Sequence, residues 1–493
     1  MKKANVNLVP DRKNPSPDYY CTWQTQLYAT CDGKPRGQRA IIGEKALFHP
    51  EKPYGWAYFY EKAREDLFLV MDDSWDVPLE DNRAYYGSLI LNPEKFPEAT
   101  KNAKTNAEAL KSISERIKGL GWKGLGGWVC AQESPEYLGD ASPEDYWKQR
   151  LSDAAEAGFS YWKVDWGKKG ANADFRKMLT ILGKELAPDL VIEHAITKES
   201  LPFADVYRTY DVPAIMSIPM TMQKLAEFSD IQENCAGLIN CEDEAYIAAA
   251  GGFSMGIMRH PYSGCFTDGR ADMSFPALHR NLKTKMHEVL RAARWHRIAP
   301  AFHFDAKSLV IDRQHLEDTW HLQNSAEEIE EWWLTMSLIR DYTENDVITK
   351  SAPARIARNC DLPQIHTEEI GNVPYIIASK NPSGAFSVAS LGRTIDRSYG
   401  IPQCDVSINV GDADTIGVFG EYKSLTIETT HPSIHRVLMQ DLADDTAYDI
   451  TNAITIGEKS ITVPGALIHE IGTIAQPKED TSEPGVVIRL ETA

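Results

Sequence analysis

Short apolar runs bounded by polar residues recur over roughly the first 300 residues, and helix-period patterns fill the gaps between them. Eight of these runs read as strands: Tyr19–Gln24, Leu67–Met71, Gly124–Ala131, Tyr161–Gly167, Leu190–His194, Val206–Tyr210, Gly237–Cys241 and Ser254–Met258. The helical patterns lie at Glu61–Asp66 with the residues before it, Asn106–Leu120, Asp145–Gly158, Ala171–Ala187, Met220–Asp230, Asp243–Gly251 and Pro276–Arg297. Buried strands alternating with helices predict an α/β protein, either a (β/α)8 TIM barrel or a doubly wound open sheet. Polar and charged residues collect at the C-terminal end of nearly every run, where barrel enzymes place their active sites, and this favours the barrel.

A helix expected at Ala326–Asp341, with Trp332 and Trp333, closes that region. Beyond about residue 350 the helical period disappears. Short β-rich runs follow at Tyr375–Ala378, Ala385–Ala389, Val406–Val410, Ser424–Thr429, Val437–Leu442, Ser460–Val463 and Val486–Leu490, separated by turn signals such as Asn381-Pro382-Ser383-Gly384. The expected organisation is a catalytic barrel over 1–345 and a C-terminal antiparallel β-sandwich over 350–493. Repeats and flexible linkers are absent from the sequence, so the two domains should pack directly.

Composition narrows the function. A net charge of −19 opposes nucleic acid and anionic membranes as partners. No stretch approaches the roughly 18 apolar residues of a membrane span. The basic start MKKANVNLVPDRKNPSP is not followed by the apolar segment of a signal peptide, so a cytoplasmic location is expected. Eight cysteines without CxxC pairs read as reduced, mostly structural thiols. Twelve tryptophans and twenty tyrosines suit a neutral sugar substrate, although most aromatics serve cores.

The chemistry concentrates in the fourth run, Tyr161-Trp162-Lys163-Val164-Asp165-Trp166-Gly167. Alternation along a strand puts Lys163 and Asp165 on one side, where the ammonium would keep the carboxylate ionised, as a nucleophile requires. Other motifs stand on neighbouring runs: Asp72-Asp73-Ser74-Trp75, Lys95-Phe96-Pro97, Arg208 to Asp211, and Glu242-Asp243. In this order the five strings resemble the retaining α-galactosidase clan, glycoside hydrolase families 27 and 36, of which the chain looks like a divergent member.

The resemblance implies hydrolysis by two carboxylates through a covalent glycosyl-enzyme, with no cofactor and no metal. Asp165 would be the nucleophile and Asp211 the acid/base. Asp72, Asp73 and Lys163 would hold sugar hydroxyls, Trp75 would form a pocket wall, and Arg208, Glu193 and Asp243 would line the site. Trp23 and Trp128 are candidate floor residues and His260 a rim contact. Only two residues separate Arg208 from Asp211, where family 27 commonly has three. A turn near Thr209–Tyr210 is therefore needed for both to face the pocket.

The function expected is a retaining, exo-acting α-glycosidase cleaving an oligosaccharide or other glycoside. Terminal α-galactosides are the leading substrates, with α-N-acetylgalactosamine or β-L-arabinopyranose as related glycones, and transglycosylation stays open. A homo-oligomer is compatible with the sequence. Two other classes fit some of the same residues. One is a magnesium-dependent enolase-type lyase or isomerase with Lys163 as base. The other is a carbohydrate-binding homologue without catalysis, which the altered Arg208–Asp211 spacing would suit.

Overall fold

The computed structural model describes residues 2–30, 39–79, 86–209, 216–231, 233–235, 237–262, 280, 282–321, 347–368 and 371–492. Eight parallel strands form the barrel: β1 (Tyr19–Cys21), β2 (Phe68–Met71), β3 (Gly124–Val129), β4 (Tyr161–Val164), β5 (Val191–His194), β6 (Val206–Arg208), β7 (Leu238–Asn240) and β8 (Gly256–Ile257). β1 pairs with both β2 and β8, and the last gap, between β7 and β8, is bridged at Asn240 and Ser254. The barrel is thus closed, and the open-sheet alternative falls away.

Side-chain parity explains why these short runs make a barrel. Tyr20, Leu69, Leu125, Trp162, Ile192 and Ile239 face outward into the large core shared with the helices. Their neighbours Tyr19, Cys21, Phe68, Val70, Tyr161 and Met258 form a separate cluster inside the barrel. Two glycines make room for the tyrosines. A Cβ on Gly126 would lie 2.6 Å from the Tyr161 Cβ, and one on Gly256 would lie 2.4 Å from the Tyr19 ring.

Several expected runs overshoot their strands because the chain leaves the ladder to carry the site. Trp23 opens a helix (Trp23–Thr30), and Asp165, Thr209 and Cys241 lie past the ends of β4, β6 and β7. The helices expected at Asn106–Leu120, Asp145–Gly158 and Ala171–Ala187 occur as Asn106–Gly119, Pro143–Glu156 and Ala173–Leu186. Each is capped by the side chain before it, Thr105, Ser142 and Asn172. Glu61–Asp66 is a correction: the chain makes 3-10 turns at Trp56–Tyr58 and Arg64–Asp66 instead of a helix. The expected Pro276–Arg297 helix is Met286–Ile298 among the described residues, and Ala326–Asp341 lies outside them.

The second unit packs a nine-stranded sheet with a five-stranded one. Most pairings are antiparallel, and three are parallel, among them Phe386–Leu391 with Thr415–Phe419. Two expectations are corrected here. A helix, Gly465–Gly472, interrupts the β-rich region and buries Leu467, Ile468 and Ile471. The large sheet also draws strands from before the expected boundary: Leu309–Ile311 pairs along one edge with Arg355–Arg358, and Lys2–Lys3 along the other with Tyr448–Asp449.

The two units meet through polar contacts as well as apolar ones. Helix Ala245–Gly251, wholly buried, lies against the large sheet, and the Ala250 carbonyl accepts hydrogen bonds from the Ser379 and Ser387 hydroxyls. At one end of the seam Lys285 Nζ lies 2.7 Å from Glu483 Oε1, while Arg259 Nη1 lies 2.8 Å from Glu288 Oε2. Burial pushes Glu483 up to about 7, with Lys285 opposing and the neighbouring Glu288 charge assisting. The folded state therefore keeps a proton that the unfolded chain releases near its ordinary carboxylate value of 4.5. That contribution to stability is fully present below the unfolded value and is lost as pH rises through the folded one. Between about pH 5 and pH 8 the melting temperature should fall by the equivalent of roughly 1–2 kcal/mol, and E483Q should flatten this dependence. A thermal melt series with equal slopes in the two proteins would rule the assignment out.

Candidate active site

The inward positions at the C-terminal ends of the strands are polar and touch one another. They comprise Cys21 on β1, Asp72 past β2, Trp128 on β3, Lys163 on β4 and Asp165 past it, Glu193 on β5, Arg208 on β6 and Glu242 past β7. All are buried. The chain bends at Thr209 immediately after β6, where the Thr209 amide still donates to the Asn240 carbonyl at 3.0 Å.

Asp165 is held from two sides. Arg208 Nη2 lies 2.8 Å from its Oδ1, and the Trp128 indole N–H donates to Oδ2 at 3.0 Å. Both contacts favour a charged, oriented carboxylate. The backbone is fixed as well: Asp165 donates to the Val129 carbonyl at 3.0 Å, and Arg176 donates to the carbonyls of Val164 and Asp165 at 3.0 and 2.9 Å.

The cation beside Asp165 is therefore Arg208, which corrects the expected Lys163 pairing. Lys163 Nζ lies 3.0 Å from Asp72 Oδ2 and 3.6 Å from Glu242 Oε1. β4 ends at Val164, so Asp165 leaves the strand's alternation and turns toward β6, while Lys163 reaches back toward β2. Burial works to lower the Lys163 ammonium, yet Asp72 beside it and Glu242 beyond carry it well above the ordinary lysine range. Cys21 sits beneath this pair and donates through its thiol to Asp72 Oδ2 at 2.9 Å. Burial, then the Asp72 charge, pushes that thiol well up.

The remaining expected residues divide sharply. Asp73 points away from Asp72, bonding Arg39 Nε at 2.9 Å and the Ser74 hydroxyl at 2.9 Å. Trp75 is not a pocket wall: it is 1% exposed, packs against Phe159 and donates to the Trp128 carbonyl at 2.9 Å, bracing β3 from outside. Trp23 is half-buried against the inner barrel cluster. Asp243 is drawn out of the expected lining by Arg259, whose Nε lies 3.0 Å from its Oδ1. His260 is fully buried and edge-on to Tyr262, not at the rim, and burial with Lys283 and Lys52 nearby lowers it well below the usual histidine range. Glu193 is also fully buried inside the barrel, its Oε1 3.8 Å from Arg208 Nε. Asp211 lies outside the described residues.

Sequence reasoning passed over Tyr19, Tyr161 and Asn240, which form the layer under the site. Each stands two positions before a polar site residue or strand end (Cys21, Lys163, Glu242), so strand alternation alone pointed to them. Arg176 and Arg39 carried no such signal, since both arrive from outside the strands.

Among the described residues, four carboxylates (Asp72, Asp165, Glu193 and Glu242) meet three cations, Lys163, Arg208 and, through the Val164 and Asp165 carbonyls, Arg176. The surplus of negative charge in a buried, pre-arranged site suits a reaction that develops positive charge.

No family model and no curated protein matches the chain. Among solved structures it is similar to a GH27 β-L-arabinopyranosidase from Geobacillus stearothermophilus in complex with arabinose. The identity is 9%, the alignment covers 97% of each chain, and the TM-score is 0.40. It is similar also to an α-galactosidase from Saccharomyces cerevisiae with raffinose, at 9% identity, 97% and 98% coverage and a TM-score of 0.35. At such scores function rests on the side chains of the site.

Proposed function

We propose that the chain is a retaining, exo-acting α-glycosidase that takes terminal α-galactosides or a closely related glycone. The observation that carries this is Asp165, a buried carboxylate held by Arg208 and the Trp128 indole at the C-terminal end of the barrel, amid an excess of negative charge. Asp165 Oδ attacks the anomeric carbon as the leaving oxygen departs, and the surrounding carboxylates stabilise the oxocarbenium-like transition state. Water then attacks the glycosyl ester from the same face that the leaving group vacated, so two inversions give retention.

Asp211 is the acid/base of this proposal, protonating the leaving oxygen and later deprotonating the water. It would need to stand about 5–5.5 Å from Asp165. Lys163 and Asp72 would hold hydroxyls of the sugar. The state of Lys163 speaks against the lyase alternative, because an ammonium held protonated cannot serve as base.

A panel of aryl α- and β-glycosides tests the reading, with the first-formed anomer followed by proton NMR. Hydrolysis of an α-glycoside with retention is expected, and an inverted product would overturn it. In D211A, substrates with activated leaving groups should keep most of their kcat/KM, which reports the first step, while unactivated ones lose roughly 10²–10⁴-fold. Equal losses on both would move the acid role to Glu242, which faces the same cluster.

A further inference from the structure

Glu193 is an ionisable group inside the barrel that the reaction above does not use. It accepts hydrogen bonds from the Tyr161 hydroxyl at 2.7 Å, the Asn240 amide at 2.8 Å and the Tyr19 hydroxyl at 3.3 Å. Three converging donors are more than a carboxyl needs for packing, and together they fix its orientation. Its Oε1 also lies 3.8 Å from Arg208 Nε, the neighbour on the same guanidinium of the Nη2 that holds Asp165.

We infer that Glu193 is a positioning residue that sets the strength of the Arg208 hold on Asp165. The inference rests on Asp165 being the nucleophile. A guanidinium buried with one carboxylate partner directs its whole field at that partner, fixing it but also making it a poorer nucleophile. With Glu193 anchored at Nε, part of the Arg208 charge is offset from within the barrel, and the guanidinium is aimed by a support that does not move with substrate. The tyrosines that anchor Glu193 occupy the spaces left by Gly126 and Gly256, so the arrangement is built into the barrel packing.

The sign follows from the charges. Removing the Glu193 anion takes away a like charge near Asp165 and leaves Arg208 shared with Glu242, 3.8 Å from Nη1, instead of with both carboxylates, so Asp165 should become more acidic. In E193Q the acid limb of the kcat/KM profile should shift down by about one pH unit, with kcat reduced roughly tenfold. Y161F removes a donor but keeps the charge, so its acid limb should stay at the wild-type position. E193D keeps a carboxyl one methylene further from Arg208, and a smaller shift in the same direction is expected. It also serves as the test should E193Q not fold. A carbon-13 titration of the Asp165 carboxyl, identified by its loss in D165N, reads the same shift without turnover. An inactive wild type would count against the glycosidase reading, while the titration would still report on Glu193. An unmoved Asp165 titration in the folded Glu193 variants, or an equal shift in Y161F, overturns the inference.

Discussion

Replacing Asp165 with glycine should abolish hydrolysis of aryl α-glycosides, by roughly 10⁴-fold or more, and added azide should restore turnover. Glycine removes the carboxylate and leaves a space the size of a small anion above the Trp128 indole and beside Arg208. Azide entering that space can attack the anomeric carbon on the face the carboxylate used. Only one displacement then occurs, so the product is a glycosyl azide of inverted configuration. The fold should hold, because Arg208 keeps Glu193 and Glu242 within 3.8 Å. A folded D165G that azide does not rescue, or a fully active D165N, would remove Asp165 from the nucleophile role.

The second large effect is expected at Arg208, and it is on stability as well as rate. R208Q strips the common cation from Asp165, Glu193 and Glu242 at once, in a site where all three are buried. Breaking a buried ion cluster by removing one partner costs about 3–5 kcal/mol, since the remaining charges lose their compensation. The variant should melt several degrees lower and recover part of the loss on acidification, when the orphaned carboxylates take up protons. R208Q/E193Q should be less destabilised than the sum of the two single variants. Denaturant titration of the four proteins gives this coupling directly. Wild-type stability in R208Q would mean that the cluster is not held together by its central cation.

Much of this arrangement was legible in the chain because barrel strands write their two faces in alternate residues. The eight runs, and the placement of Lys163, Asp165, Arg208 and Asp72 at strand ends, needed nothing more than the period of two. What the period could not tell was which cation meets which carboxylate. Lys163 and Asp165 are close in sequence and share a side, yet their partners come from β2 and β6, set by barrel closure and not by strand geometry. For the same reason Trp75, read as a wall, proved to be a brace, and Asp243 was claimed by Arg259 from the following strand end. Glu193 was harder to read: its hydrogen bonds come from tyrosines of the layer beneath, which fit only because two glycines on other strands leave them space.

The early start of the large sheet bears on how this protein can be taken apart. A fragment ending near residue 345 would keep Leu309–Ile311 without Arg355–Arg358, the strand it pairs with, and the complementary fragment would present Arg355–Arg358 as a bare edge. Unpaired edges recruit other chains, so such halves invite aggregation. A division ahead of residue 309 would still part Tyr448–Asp449 from Lys2–Lys3, the edge strand it pairs with, and the seam around helix Ala245–Gly251 would leave each piece with an apolar face made for the other.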